Sequence, residues 1–330
     1  VPQSLSVWQA DQCRIENVAV IAEMPAILSG SRDGSLVCWA PRIRSDPTWP
    51  ARNIAVGHDG TLITCDQSIQ LWDRSLDRPL HTFDLPPHPW RHLAAATNSP
   101  HFVVSGDDGT VCVFDIESRQ LVHQFATEPP YSEVAISPDG LRIAVRNRVK
   151  DRVQLFEIGK SEAIWDRRII QCSCLAFSLD GHQLAVGGLD DLHIYDLDRD
   201  VEPIDLQGHD STVEAARFHP TDPVIASVGS DRRLKLWDLP SATEIGSAKA
   251  SQSPVIVTLD FSSDGELIAT GGQDGVVRLW HTETLQPMLE IERRGSIREL
   301  EFSFDDSRLI AIFERREFQA VVFDSGQPGP

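Results

Sequence analysis

The chain has 330 residues, 41% hydrophobic and 24% charged, enough to bury a sizeable core and too apolar for a disordered tail. Thirty Lys and Arg against 49 Asp and Glu give a formal charge of -19, which opposes nonspecific binding to nucleic acid or an anionic membrane surface. No apolar run of about 18 residues occurs, so no membrane-spanning helix is predicted, and six scattered cysteines predict buried thiols rather than a disulfide scaffold.

In chain order, an orphan strand at Leu5-Ser6-Val7-Trp8 precedes a unit that recurs to the end of the chain. Each unit opens with a strand that ends in a turn such as Ile136-Ser137-Pro138-Asp139-Gly140 or Phe261-Ser262-Ser263-Asp264-Gly265. A strand of small residues follows, as in Val224 to Gly229 or Leu267 to Gly271. The third strand ends on an aromatic anchor, and the fourth is looser, as in Leu121-Val122-His123-Gln124-Phe125. The anchors are Trp39, Trp72, Phe114, Phe156, Tyr195, Trp237, Trp280 and Phe323, separated by 33, 42, 42, 39, 42, 43 and 43 residues. Short alternating strands punctuated by Gly, Pro and Asp predict an all-β fold.

This pattern resembles the WD-repeat (WD40) β-propeller family, in which four-stranded antiparallel blades close around a central channel. The resemblance covers nearly the whole chain and implies one propeller domain over 1–330, with 325–330 as a flexible tail. Eight anchors predict eight blades. The eighth unit lacks a fourth strand of its own, and the strand at Leu5 to Trp8 is expected to supply it and cover the open edge. Seven blades plus an extra hairpin is the alternative, because the second unit is short. A chain that starts at Val1 is expected to be processed or cut from a longer protein.

The resemblance also implies a hydrogen-bonded tetrad of His, Ser or Thr, Asp and Trp within a blade. The sixth unit carries all four as His209, Ser227, Asp231 and Trp237; the first keeps Ser29, Asp33 and Trp39, and the seventh keeps Thr270, Asp274 and Trp280, with Gln252 at the histidine's place. Units that end on Phe or Tyr have no indole donor to satisfy. Gly57-His58 and Gly181-His182 fall in turns between first and second strands and are expected to face solvent. Trp165 is expected in fourth-strand core.

Catalytic and metal signatures are not found: there is no phosphate-binding Gly-rich loop, no His-Glu-x-x-His, no Gly-x-Ser-x-Gly and no Cys-x-x-Cys. Cys172 and Cys174 read as core. Asp196-Leu197-Asp198-Arg199-Asp200 reads as a solvated turn, since Val201 and Gln207 replace the Gly and Glu that a calcium loop requires. His88-Pro89-Trp90-Arg91-His92 reads as a stiff loop. No catalytic residue, metal or cofactor is expected.

In proteins of this family, partners usually engage the face that bears the loops before the first strand and between the second and third. Transferred by alignment, that face holds Arg14, Glu16, Arg32, Arg52, Trp90, His92 and Arg298, with arginines concentrated on blades eight, one and two. A guanidinium fork suits carboxylates and phosphates. The expectation is a monomeric cytoplasmic scaffold that binds other proteins or peptides, including an acidic or phosphorylated segment at this sector, and binds neither nucleic acid nor membrane. The alternatives are a docking or sensor domain of a longer signalling protein and an enzyme with its site in the channel.

Overall fold

The computed structural model describes residues 27–30, 36–42, 52–65, 68–73, 79–83, 90–128, 132–147, 149–251, 255–292, 294–303, 306, 308–314 and 318–324; over 27–30, 36–42 and 318–324, and at 132, the description is of backbone alone. Twenty-nine strands are present among them. Six sheets are four-stranded and antiparallel, each built from four consecutive strands.

Sheet I contains β3 (Asn53–Val56), β4 (Leu62–Cys65), β5 (Ile69–Trp72) and β6 (Pro79–Thr82). Sheet II contains β7 (Trp90–Ala95), β8 (His101–Gly106), β9 (Thr110–Asp115) and β10 (Gln120–Ala126). Sheet III contains β11 (Ser132–Ile136), β12 (Arg142–Asn147), β13 (Arg152–Glu157) and β14 (Trp165–Arg168). Sheet IV contains β15 (Cys174–Phe177), β16 (Gln183–Gly187), β17 (Asp191–Asp196) and β18 (Ile204–Gln207). Sheet V contains β19 (Val213–Phe218), β20 (Val224–Gly229), β21 (Arg233–Asp238) and β22 (Thr243–Lys249). Sheet VI contains β23 (Ile256–Phe261), β24 (Leu267–Gly272), β25 (Val276–His281) and β26 (Pro287–Glu292).

The remaining sheet differs from the expectation of eight blades. It is five-stranded, in the order β1 (Ile27–Gly30), β2 (Leu36–Arg42), β29 (Phe318–Asp324), β28 (Arg308–Glu314) and β27 (Ser296–Phe302). Thus the eighth unit has three strands, and the third strand of the first unit pairs with its open edge through Ala40↔Asp324, Pro41↔Phe323 and Arg42↔Val322. Among the described residues the first unit therefore builds no separate sheet: β1 rides on the outside of β2 as an extra strand. The physical reason is that an edge of unpaired N–H and C=O groups accepts any strand that reaches it in register. The expected closing strand, Leu5 to Trp8, lies outside the described residues.

First strands of successive sheets touch in order round the ring, and β27 of the last sheet meets β3 of the first. Apolar clusters fill the spaces between sheets. Ile54, Leu62 and Trp72 of sheet I pack with Ile310 and Ile312 of the last sheet, so the ring is closed by packing as well as by backbone.

The turns follow directly from the sequence. In Ser-x-Asp-Gly, the Asp carboxylate accepts the N–H two residues on, as from Leu141 to Asp139 (3.0 Å), His182 to Asp180 (3.0 Å) and Glu266 to Asp264 (2.9 Å). The Gly takes a positive φ, 71° at Gly140 and 76° at Gly265, which an L side chain adopts only at a cost. At Gly265 there is also no room, since an added Cβ would stand 2.3 Å from the His219 ring. That ring bonds through Nε2 to the Gly265 carbonyl at 3.1 Å, tying sheet V to sheet VI. His101 ties sheet II to sheet III in the same way, through Nδ1 to the Gly140 carbonyl at 3.1 Å.

Candidate binding face

The sixth-unit residues His209, Ser227, Asp231 and Trp237 are joined in one chain of hydrogen bonds. Trp237 Nε1–H donates to Ser227 Oγ (2.8 Å), His209 Nε2 lies 2.7 Å from the same oxygen, and His209 Nδ1 lies 2.8 Å from Asp231 Oδ2. A proton on Nδ1 satisfies every member: Asp231 accepts from the ring, and Nε2 accepts the Ser227 hydroxyl. Asp231 also accepts the backbone N–H of Arg233 (3.1 Å) and of Asp210 (3.2 Å). Burial alone would raise the Asp231 carboxyl, but the bond and charge of His209 and these N–H groups outweigh it and hold it below the usual range.

In sheet VI, Trp280 Nε1 donates to Thr270 Oγ1 (2.9 Å). Asp274 is met by Ser251 Oγ and by Arg278 Nη1, both at 2.8 Å, so a Ser and a buried Arg occupy the place where the other blade uses His. Sequence reasoning missed a third pair, Trp72 Nε1 to Thr64 Oγ1 at 2.8 Å. Its spacing of 8 residues, against 10 in the other two, reflects a shorter hairpin, but the register is the same. Thr64 pairs with Gln70 just as Ser227 pairs with Lys235 and Thr270 with Arg278, two residues before the Trp in every case. Ser29 faces Val37 in that register, two residues before Trp39; the side chains of Ser29 and Trp39, and all of Asp33, lie outside the description.

The proposed partner face is only partly assembled. Arg14, Glu16 and Arg32 lie outside the described residues. Arg52, half-buried, precedes β3, and exposed Arg298 lies on β27, at the same end of neighbouring inner strands. Arg298 is ion-paired with Glu314. Arg91 clamps Asp107, with Nε 2.8 Å from both carboxylate oxygens. Trp90 is a correction: at 4% exposure it is core, packed with Ile69, Phe83 and Leu93, and it offers no surface to a partner. The run from Trp90 to His92 is strand rather than loop, which explains this, because alternate residues of a first strand point into the space between blades. His92 is half-buried; desolvation lowers its pKa, partly opposed by the charges of Glu133 and Asp107.

Three exposed aliphatic residues mark the same face further round the ring. Val149 sits in the β12–β13 turn, Leu189 in the β16–β17 turn, and Ile170 in the connection from β14 to β15, with exposures of 64%, 51% and 64%. Their loops are fixed by hydrogen bonds. Asn147 Oδ1 accepts the Val149 N–H (3.1 Å), Asp151 accepts the Ile169 N–H at its carbonyl (2.7 Å) and the Gln171 N–H at its side chain (3.1 Å), and the Val213 N–H reaches the Gly188 carbonyl (3.0 Å).

The inner strands carry charge on one side of the ring. At equivalent register, one residue before the last of each first strand, stand Ala55, Ala94, Ala135, Ala176, Arg217, Asp260 and Glu301. Four consecutive positions round the ring are alanine and the next three are charged. Aligning the first strands on their closing turns would have exposed this. Cys172 and Cys174 are buried, and burial pushes the Cys174 thiol up to about 12, which leaves it unreactive. Asp198 is paired with Arg142 (3.0 Å) and with His182, and Asp200 with Arg167 (3.0 Å), as a solvated turn requires. No group of three or more His, Cys, Asp or Glu able to hold a metal occurs among the described residues, and none of their helices is long and apolar enough to cross a membrane.

Comparison with known families decides the name of this architecture. The family model for the WD domain, G-beta repeat, matches residues 78–115, 202–238 and 243–281, the last two ending on the Trp237 and Trp280 strands. Over these three segments the chain carries WD repeats. Among curated relatives, the chain is 32% identical over 127 residues to eukaryotic translation initiation factor 3 subunit I of Coccidioides immitis, covering 38% of this chain and 37% of that one. The same subunit of Scheffersomyces stipitis is 30% identical over 35% of this chain and 33% of its own, and that of Schizosaccharomyces pombe 25% over 35% of each. The match thus spans little more than a third of these relatives' length.

Proposed function

We propose that this repeat-bearing chain is a non-catalytic platform for protein–protein interaction, a single cytoplasmic, monomeric propeller domain over 1–330. The observation that carries the reading is the trio Val149, Ile170 and Leu189, large aliphatic side chains left in solvent on hydrogen-bonded loops of sheets III and IV. Burying such residues against a partner gains free energy without the ordering cost of a mobile loop. Relatives that share the repeats are named as subunits of a translation initiation factor, which fits a chain that works inside an assembly; with a third of each chain matched, the repeat is what is shared.

The narrower reading assigns an acidic or phosphorylated segment to the arginine sector. Glu314 and Asp107 now occupy the forks of Arg298 and Arg91 as a partner's carboxylates would, so such a segment binds by exchange. The test is affinity capture from native cells with mass spectrometry, using wild type, Val149→Asp/Ile170→Asp/Leu189→Asp, and Arg52→Ala/Arg298→Ala. The triple variant is expected to lose the captured partners with its melting temperature unchanged, and the arginine variant to weaken capture more at low salt than at high. Full recovery by the triple variant would sink the platform reading; recovery by the arginine variant alone would sink only the acidic-segment reading.

A further inference from the structure

We propose that closure of the ring is proton-linked: Glu299 and Glu301 on β27, with Asp260 on β23, form a carboxylate clasp that holds the first and last sheets together more firmly when it carries protons than when it is fully ionised. The geometry is specific. Glu299 Oε2 accepts the Ile54 N–H at 2.6 Å, and Glu301 Oε2 accepts the Val56 N–H at 2.9 Å, both across the junction where β27 meets β3. Asp260 Oδ2 accepts the Phe302 N–H at 2.9 Å, fastening β27 to the sheet before it. The N–H groups belong to inner edge strands, which no further strand among the described residues pairs. Without these carboxyls, buried donors would be left unsatisfied.

Charge is unbalanced there. Arg217 on β19, 3.9 Å from Asp260, is the cation that acts on all three acids, while the charge of Glu133 on β11 adds repulsion at Glu299 and that of Asp306 adds it at Asp260. Burial pushes the Glu299 carboxyl up to about 8 and Asp260 up to about 6. Burial also drives Glu301 well above the usual range, with further pressure from the charges of Asp260 and Glu299. A neutral carboxyl still accepts an N–H through its carbonyl oxygen, so a proton removes repulsion without removing the bond.

Because the folded values lie above the unfolded ones, the folded chain holds more protons between them. The contribution is fully present below the ordinary values of 3.8 and 4.5 and is lost as pH rises through about 6 and about 8. The lowered Asp231 carboxyl acts with the opposite sign and in a lower window, so the two do not overlap.

The experiment compares thermal unfolding of the whole chain, wild type against Glu299→Gln/Glu301→Gln, at pH 5.5 and 8.5. The glutamines keep an acceptor oxygen and cannot ionise. The double variant is expected to melt at least about 3 °C above wild type at pH 8.5, a shift on the order of 2 kcal/mol in a domain this large, with the gap closing at pH 5.5. A gap that is equal at both pH values, or larger at the lower one, overturns the proposal. Should the double variant fail to fold, Glu301→Gln alone carries the same expectation, and amide exchange at Ile54 and Val56 in the wild type should quicken from pH 5.5 to 8.5 beyond the intrinsic rate; unchanged protection overturns it equally.

Discussion

Replacing Trp237 with alanine is expected to cost about 3–5 kcal/mol of stability, the range for emptying a buried tryptophan site. The side chain is 1% exposed and packs in one cluster with Ala185, Leu192 and Ile194 of the preceding sheet and Val213, Ala216 and Ile225 of its own, so part of the loss falls on the contact between two blades. Polar terms add to it, because Ser227 Oγ loses its donor. The companion variant Ser227→Ala keeps the packing and leaves the Trp237 N–H and His209 Nε2 unpaired, each at about 1–3 kcal/mol. Urea unfolding followed by tryptophan fluorescence and circular dichroism measures both. A loss below about 1 kcal/mol in Trp237→Ala would mean that the site collapses or is wet.

At the junction between first and last sheets, Ile54→Ala is expected to cost about 2–5 kcal/mol, as for other buried Ile to Ala changes. Ile54 has no exposed surface and packs with Leu62, Trp72, Ile310 and Ile312. Its N–H also meets Glu299, so a shift of β3 to fill the void would break that bond. The surface control is Val122→Ala on β10, 44% exposed and expected within about 0.5 kcal/mol of wild type. Equal thermal shifts in the two variants would show that the closure holds no special share of stability.

Much of the fold is legible in the residues because the signals are local. Asp139, Asp180 and Asp264 each close a turn that needs nothing beyond five neighbouring residues, and that turn sets the register of the hairpin around it. The Trp237 tetrad is legible for a related reason: fixed register turns a spacing in sequence into a distance in space. Trp72 with Thr64 escaped only because two residues fewer lie in its hairpin. The partner face was less legible. Trp90 looks like a loop anchor until β7 is seen to begin there, and Arg298 looks free until Glu314 is brought up by the hairpin.

The sequence alone therefore determined the repeat, the antiparallel four-strand unit and the turn chemistry, since all of these are decided within about 40 residues of chain. Tertiary structure decided how the units close. Strand pairing across a gap of nearly three hundred residues depends on which edge is left unpaired, and the period of the repeat carries no record of that. The same holds for Glu299 and Glu301: as residues they are two acids on an alternating strand, and only the meeting of β27 with β3 makes them the caps of a neighbouring backbone.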